Sequence, residues 1–405
     1  MPPASEAPPT APRASLAEIA REWGRIGITG FGGPPAHIAL LRRLCVERRA
    51  WLSESEFEDG IAATSLLPGP ASTQLAIFCA WRLAGWGGAL VGGACFIVPG
   101  LIVILGLSVL FLASSPPAWV TGAADGAGAA VPAIAIAAAV GLIPASWRRA
   151  GPRRAGRARC ALYLAAGGVA ANLAGQFLVA VLLACGLAEW LIGRDRTSQP
   201  AEAGERAGPP QKKKTIALGI AAKAATAGTL ASIAWVAIKV GALSFGGGFV
   251  IIPLMQHDAV HTYHWLTSAQ FLSAVALGQV TPGPVVLTVS VVGYAAAGIP
   301  GGLLAAVVAF APSFAFVLAG GRHFDAFRRS PTAQAFLSGA GPAAIGAIAG
   351  AAVTLGLGLT QLWQAGVLAA AFCWLVLLRR GVVVAIVGAA AAGVVVALAG
   401  GLSPA

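Results

Sequence analysis

Two Pro-Gly-Pro sequences interrupt long apolar stretches of the chain, and they are the residues best suited to binding a ligand. The first is Pro68, Gly69 and Pro70, and the second is Pro282, Gly283 and Pro284. A helix that restarts after a proline presents free backbone N–H groups and the positive end of its dipole, which together attract anions. We therefore predict helix N-termini at Ala71 and Val285 that face a bound anion.

Small polar side chains stand next to both breaks. Ser72 and Thr73 follow the first break, and Thr288 and Ser290 follow the second. Hydroxyl groups at such positions can replace water around an oxyanion. The alternative interpretation is that each Pro-Gly-Pro sequence only kinks a membrane helix, as prolines often do. Gln279, three residues before the second break, completes this group of predicted substrate-binding residues.

Two glycine-rich sequences form a second pair of candidates. They are Phe31, Gly32 and Gly33 in the first half of the chain, and Phe245, Gly246, Gly247 and Gly248 in the second. Without side chains, this backbone can approach a ligand or the opposite hairpin closely, although tight helix packing is an equal alternative. His37 follows the first sequence and is a further candidate for the site.

Charged residues inside apolar stretches are costly and are therefore functional candidates. Arg82 and Lys239 are predicted to supply the positive field that an anion needs, unless their side chains extend to the membrane interface. Asp125 is the candidate for carrying a coupling proton, and a helix cap is its alternative role. The metal alternative rests on His257, His261 and His264, but a solvated loop is the favoured interpretation. No metal or cofactor is expected.

The composition is that of a membrane protein. The 405 residues are 57% hydrophobic and 10% charged, and the mean hydropathy is +0.79. Soluble proteins carry about 25% charged residues. Several charge-free stretches exceed the roughly 20 residues of one bilayer crossing, and they lack the alternation of barrel strands. We therefore predict an all-α polytopic membrane protein and exclude a soluble enzyme. The net charge of +12 is concentrated in short loops, which argues against nucleic-acid binding.

The chain contains an internal repeat. The two Pro-Gly-Pro sequences are 214 positions apart, and so are the two Phe-Gly-Gly sequences. Further along, Pro99 matches Pro312 at a separation of 213, so the second copy lacks one residue. Basic residues alternate between the copies: the first has a cluster from Arg148 to Arg159 where the second is uncharged. By the positive-inside rule, the copies have opposite orientations, which is the inverted-topology repeat of many secondary transporters.

The repeat predicts a domain organisation. A disordered tail covers residues 1–15, a membrane domain 16–193, a cytoplasmic polar linker 194–214, and a second membrane domain 215–405. Because the loop around residues 42–49 and Arg82 are both basic, residues 60–81 are predicted to enter and leave on the same side as a re-entrant broken helix. The N-terminus and the linker are expected to be cytoplasmic.

These motifs resemble the chromate ion transporter family in its long two-domain form. The resemblance rests on the segment from Phe31 to Ile38, on residues 63–73 with their Pro-Gly-Pro, on Trp51-Leu52 and Trp265-Leu266, and on their counterparts in residues 245–294. It implies an inner-membrane carrier that expels chromate, a tetrahedral dianion like sulfate, and so confers resistance. The chain departs from the family pattern at Arg42 and Arg43, at Ser65 and Ala71, and at Ala295 and Ala296.

The sequence thus predicts a secondary transporter that moves chromate by alternating access, with its site between the two broken hairpins. Three alternatives stay open: a transporter of sulfate or another small anion, a passive anion channel, and a membrane-embedded enzyme or scaffold. An enzyme is disfavoured because only 15 acidic residues exist, mostly in the tail, linker and loops. The expected partners are the oxyanion and the lipid bilayer. A homodimer through glycine-rich faces has no further support.

Overall fold

The computed structural model describes residues 14–67, 69–113, 115–173, 178–197, 225–244, 251–320 and 330–400. Within these ranges every regular element is a helix, which confirms the predicted all-α fold. Pro68 and the residues from Phe245 to Gly248 lie outside the described ranges, as do most of the polar linker and both chain ends.

The described residues of the first half form seven α-helices. They are α1 (Leu16–Thr29), α2 (Pro34–Arg42), α3 (Glu54–Leu66), α4 (Ala71–Phe111), α5 (Ala118–Ala150), α6 (Arg154–Leu173) and α7 (Leu178–Thr197). A π-helical turn, Arg43–Arg48, extends α2. The helix α4 begins at Ala71, directly after the first Pro-Gly-Pro sequence, as predicted.

The second half repeats these elements. It contains α8 (Ala225–Leu243), α9 (Ile251–Gln256), α10 (Ser268–Val280), α11 (Thr288–Gly320), α12 (Pro331–Leu357), α13 (Leu362–Phe372) and α14 (Val382–Leu398). The π-helical turn His257–Thr262 lies 214 positions after its counterpart. The helix α10 lies 214 positions after α3, and both begin with a capping box. The duplication therefore extends to local backbone geometry.

Gly69 and Pro70 of the first break, and residues 282–284 of the second, lie at the tips of helical hairpins. In the first hairpin, α3 runs to the tip and residues 71–83, which we call α4a, run back. Gly60 of α3 faces Leu75 and Phe78 of α4a, as an antiparallel pair requires. At the base, Glu56 of α3 forms an ion pair with Arg82 of α4a. The two ends of the hairpin are thus together, as expected for a re-entrant segment.

A sharp bend then reverses the chain again. At Ala84 and Gly85 the backbone leaves helical geometry, and Gly85 has φ +59°, a conformation that glycine adopts readily. Residues 86–111, called α4b, fold back along α4a, so that Gly92 lies against Ala80. In the second half, α11a (residues 288–296) and α11b (residues 299–320) are separated by the same bend at Ala297 and Gly298.

The structure places the missing residue of the second copy earlier than the sequence alignment does. The bends at Gly85 and Gly298 are 213 positions apart. The contact of Gly88 with Ala80 is likewise repeated 213 positions later, by Gly301 and Gly293. The second helix also starts differently, with the 3₁₀ turn Val285–Leu287 before α11. Three residues of 3₁₀ helix rise about as far as four of α-helix, which compensates for the missing residue.

The two halves are interlocked. The arms α4b and α11b pack at the centre, α1 packs on α4, and α8 packs on α11. The helix α5 of the first half packs on α13 and α14 of the second, and α12 of the second half packs on α6 and α7 of the first. Each half therefore holds the C-terminal helix pair of the other.

In the part of the chain that the structure describes, four helical segments are long and apolar enough to cross a membrane: Ala71–Phe111, Ala118–Ala150, Val285–Ala319 and Gln334–Leu357. They form two repeat-related pairs, α4 with α11 and α5 with α12. Large apolar side chains such as Ile102 and Val307 are exposed on them. Such exposure is costly in water and favourable in lipid. The chain is an integral membrane protein.

Candidate functional site

Each hairpin tip packs against the long arm of the opposite half. The second tip approaches α4b at Gly100, where any Cβ would overlap the carbonyl group of Pro282. The first tip approaches α11b at Ser313, whose Oγ lies 3.3 Å from the position that a Cβ on Gly69 would occupy. Gly100 and Ser313 are 213 positions apart and are therefore repeat equivalents. The two breaks thus occupy corresponding places at the interface of the halves.

The predicted close approach of the Phe31-Gly32-Gly33 sequence to the opposite hairpin is observed. The backbone N–H of Gly283 donates a hydrogen bond of 3.0 Å to the carbonyl of Gly30. Gly33, with φ +72°, approaches the side chain of Val285. This contact joins the loop between α1 and α2 to the second tip. Phe31 itself is 43% exposed.

His37 connects this loop to the first tip. The side chain is fully buried, with Nε2 2.9 Å from the Gly30 carbonyl and Nδ1 3.3 Å from Ser72 Oγ. Because a carbonyl can only accept, Nε2 carries the proton, and in the neutral ring Nδ1 accepts from the Ser72 hydroxyl. Phe96 of α4b packs edge-on against the imidazole, with ring centroids 5.0 Å apart. The ring orientation is therefore fixed.

Buried polar atoms without hydrogen-bond partners are concentrated at the tips and in the elements next to them. In the described part of the chain they include Thr73 Oγ1, Ser244 Oγ, Gln279 Nε2, Ser290 Oγ and Ser313 Oγ. An unsatisfied buried polar group costs about 1–3 kcal/mol, so a native structure retains few without a reason. A cluster of them indicates groups that are available to a ligand or to water.

The second tip has its own arrangement. The Thr288 hydroxyl donates a hydrogen bond of 2.8 Å to the Val285 carbonyl and so closes the 3₁₀ turn. The turn itself carries the apolar side chains of Val285, Val286 and Leu287, all buried. Any ligand contact from this turn therefore comes from its backbone rather than from its side chains.

Both candidate cations lie in ion pairs. Arg82 is paired with Glu56 at the base of the first hairpin, 11 residues or about 16 Å along α4a from Ala71. The backbone N–H of Ser53 and then the Arg82 guanidinium hold the pKa of the Glu56 carboxyl below its usual value. Lys239 Nζ lies 2.5 Å from Asp258 Oδ2. Among the described residues, the ion-pair partners of both cations lie outside the tips.

Asp125 lies on α5, and its neighbours Gly122 and Gly126 pack tightly on α14. It is partly exposed, and none of the tip contacts described above includes it. The rings of His257 and His261 have centroids 6.0 Å apart. In the described ranges, no group of three metal-ligating side chains lies close enough to hold a metal ion.

Sequence reasoning missed Gly30, Gly100 and Ser313. Gly100 and Ser313 directly follow Pro99 and Pro312, whose repeat relationship was evident, so their equivalence was a usable signal. Nothing in the sequence showed that both would contact the opposite tips, because the interlocking of the halves depends on packing between distant segments.

The sequence model of the family described as chromate transporter matches residues 17–190 and 231–394. The chain belongs to the chromate transporter family. The two matched regions correspond to the two halves of the fold, and each contains one Pro-Gly-Pro hairpin.

Individual members of the chromate transporter family support this assignment. The chain is 31% identical to the chromate transport protein of Cupriavidus metallidurans over 357 residues, which cover 85% of this chain and 84% of that protein. It is 29% identical to a probable chromate transport protein of Synechococcus elongatus, covering 85% and 86% of the two chains. The identity to a chromate transport protein of Pseudomonas aeruginosa is also 29%, covering 85% and 82%. No solved structure matches this chain.

Proposed function

We propose that the protein exports chromate across the inner membrane by alternating access and that the two hairpin tips bind the anion. The observation that carries this proposal is that both helix breaks meet the opposite long arms, beside buried hydroxyls that have no hydrogen-bond partner within the described ranges. Helix N-termini and neutral donors are sufficient to hold an oxyanion.

In this proposal the anion is held mainly by neutral groups. Thr73 and Ser313 supply hydroxyl donors from the first tip and from α11b. The Ser72 hydroxyl donates to His37 Nδ1, so Ser72 contributes its backbone N–H in the first turn of α4a. Gln279 and the free N–H groups at the start of the second helix contribute from the other side. Binding without a full cation leaves the anion free to leave again, which a carrier requires. In this proposal Arg82 pairs with Glu56 at the base of the first hairpin, and Lys239 of α8 pairs with Asp258. Neither cation binds the anion.

The orientation of the protein follows from its basic segments. The loop of residues 42–49 and the cluster after Arg148 are proposed to face the cytoplasm, together with the polar linker. The two halves then have inverted topology, and the tips lie near mid-membrane. Membership of a family of chromate transporters and the sequence similarity to named chromate transport proteins support chromate as the substrate.

The test is uptake of radiolabelled chromate into everted membrane vesicles, with and without an energised membrane. Energy-dependent accumulation above that of vesicles without the protein is the expected result. Uptake that only reaches equilibrium with the medium would indicate a channel instead of a carrier. Uptake of sulfate but not of chromate would change the substrate. Absence of uptake for either anion would contradict the proposal.

A further inference from the structure

The two hairpins are packed differently on the rest of the molecule. The helix α10 of the second hairpin lies against α5 and α14 of the interlocked bundle. Among the described residues, its equivalent α3 packs extensively on α4 and has no comparable packing on α12 or α7. The helices α12 and α7 are the repeat equivalents of α5 and α14. The second hairpin is therefore closed against its bundle helices, whereas the first hairpin is open.

Individual residues define the closed contact. The position that a Cβ on Gly128 of α5 would occupy lies 3.4 Å from Leu272 Cβ and 3.5 Å from the backbone nitrogen of Ser273. Leu272 Cδ1 also lies 3.7 Å from the position that a Cβ on Gly358 would occupy, just after the end of α12. Both α10 residues are buried. The helix α10 therefore lies in a notch between α5 and α12.

The equivalent residues of the other copy are apart. Gly341 of α12 corresponds to Gly128, and Glu58 and Asp59 of α3 correspond to Leu272 and Ser273. Glu58 and Asp59 are exposed. The atoms nearest the position of a Cβ on Gly341 are instead Ser146 Oγ at 3.9 Å and Arg149 Nη2 at 4.0 Å, both from α5. Helix α3 does not occupy this notch.

We propose that α3 is a gate on the side of the basic clusters, which closes when Glu58 docks in the notch at Gly341 and pairs with Arg149. This inference rests on the proposed alternating access. In the closed state, α3 packs on α12 and on the end of α5. This is the repeat equivalent of the packing of α10 on α5 and on the end of α12 in this structure. The structure therefore has the site open toward the side assigned to the cytoplasm.

The chemistry of the notch matches the helix that would enter it. Burying a carboxylate without a partner costs several kcal/mol, and a guanidinium placed beside it offsets most of that cost. Arg149 Nε lies 3.4 Å from the Ala145 carbonyl. Ala145 is the repeat equivalent of Gly358, the residue at the end of α12 that lies next to Leu272. The guanidinium is thus held where the side chain of a docked Glu58 would arrive.

Ser146 gives independent support. Its hydroxyl is buried, with 2% of the residue exposed, and has no hydrogen-bond partner in the described part of the chain. Its Oγ lies near Gly341 of α12, and none of the tip contacts described above includes it. In the closed state it lies next to the polar residues of α3. The repeat equivalents of Ser146 and Arg149 are both leucine, Leu359 and Leu362, which fits the apolar Leu272 of the other hairpin.

Two matched cysteine pairs test the gate in purified, reconstituted full-length protein whose six native cysteines are replaced by alanine. The pair Gly128→Cys and Leu272→Cys reports the closed contact and should cross-link at once under mild oxidation, because the Cβ atoms are within disulfide range. The pair Gly341→Cys and Glu58→Cys is its repeat equivalent and should cross-link more slowly, as the chain visits the other state. With both pairs present, one cross-link should prevent the other.

Failure of the second pair to cross-link, while the first does so and chromate flux is normal, would overturn the gate and leave the proposed function intact. Simultaneous formation of both cross-links in one molecule would also overturn it. Absence of flux in the unmodified protein would count against the proposed function instead, whatever the cross-links show.

Charge reversal tests the ion pair separately. Glu58→Arg and Arg149→Glu should each lower chromate flux about tenfold or more, since each places like charges in the closed gate. The double variant should recover most of the flux. Glu58→Arg combined with Arg148→Glu is the matched control and should not recover. Equal fluxes of the single and double variants would contradict the assigned pair.

Discussion

The two hairpin tips have the same backbone plan but different side chains. The first tip continues into Ala71, Ser72 and Thr73 and is held by His37. The second continues into three apolar residues in a 3₁₀ turn, and its equivalent of His37 is Ile251, which is buried. Both tips meet the opposite long arm at equivalent positions, yet one position is Gly100 and the other is Ser313.

This difference indicates how a duplicated scaffold has divided its tasks. The first tip and its partner Ser313 carry hydroxyls, whereas the second tip and its partner Gly100 carry only backbone at the point of contact. A symmetric pair of polar tips would bury more unsatisfied groups, and a symmetric pair of apolar tips would leave no side-chain donors. Side-chain donors for the anion are thus concentrated on one tip, and close backbone packing is concentrated on the other.

The largest expected effect comes from the packing of the second tip. Gly100→Ala places a methyl group where the Pro282 carbonyl lies, so the tip must shift. A displacement of about 1 Å at a site can cost about 100-fold in activity. We expect chromate uptake into everted vesicles to fall by about that factor. Gly106→Ala on the same helix is the control, because nothing lies within 4 Å of its added methyl group. Equal uptake by the two variants would show that the second tip tolerates displacement.

The next effect concerns the hydroxyls of the first tip. The double change Ser72→Ala and Thr73→Val removes the free donor of Thr73, worth about 1.5–3 kcal/mol when bonded to a charged group, and the Ser72 hydroxyl that joins the first tip to His37. We expect the apparent affinity for chromate, measured by competition in the same vesicles, to fall at least about tenfold. Ser108→Ala removes a buried hydroxyl that bonds within its own helix, to Ile104, and should leave the affinity nearly unchanged. An unchanged affinity in the double variant would remove the first tip from the site.

A smaller effect is expected from giving the first half the residue of the second. His37→Ile removes the hydrogen bonds to Gly30 and Ser72, at about 1 kcal/mol each. Chromate uptake should decrease about tenfold or somewhat more. His37→Gln can retain a donor to the Gly30 carbonyl and should recover part of this loss. If His37→Ile transports normally, the polar contact at the first tip has no role in positioning Ser72.

Much of this architecture was predictable from the sequence because it follows from local physics. Proline and glycine interrupt helices wherever they stand, so the breaks and the helix start at Ala71 were evident. Charge-free stretches identified the membrane segments, and the repeat showed two copies. The contacts of the tips with Gly100 and Ser313 were not predictable, since they depend on interlocked halves. The pairing of Arg82 with Glu56 was also missed, because it requires knowing that the two ends of the hairpin meet.

The smallest expected effect distinguishes the base of the first hairpin from its tip. Arg82 is the cation nearest in sequence to the first break, but its partner is Glu56, and both side chains are about 40% exposed. Exposed ion pairs contribute at most about 1 kcal/mol, so Arg82→Gln should lower uptake no more than about fivefold. Its effect should also equal that of Glu56→Gln, because either change removes the same pair. An anion-binding arginine would behave otherwise: Arg82→Gln would then weaken chromate affinity as strongly as the hydroxyl double variant, while Glu56→Gln would leave it intact or improve it. Measuring both variants by chromate competition therefore decides whether charge at the hairpin base acts on the anion or only on the hairpin.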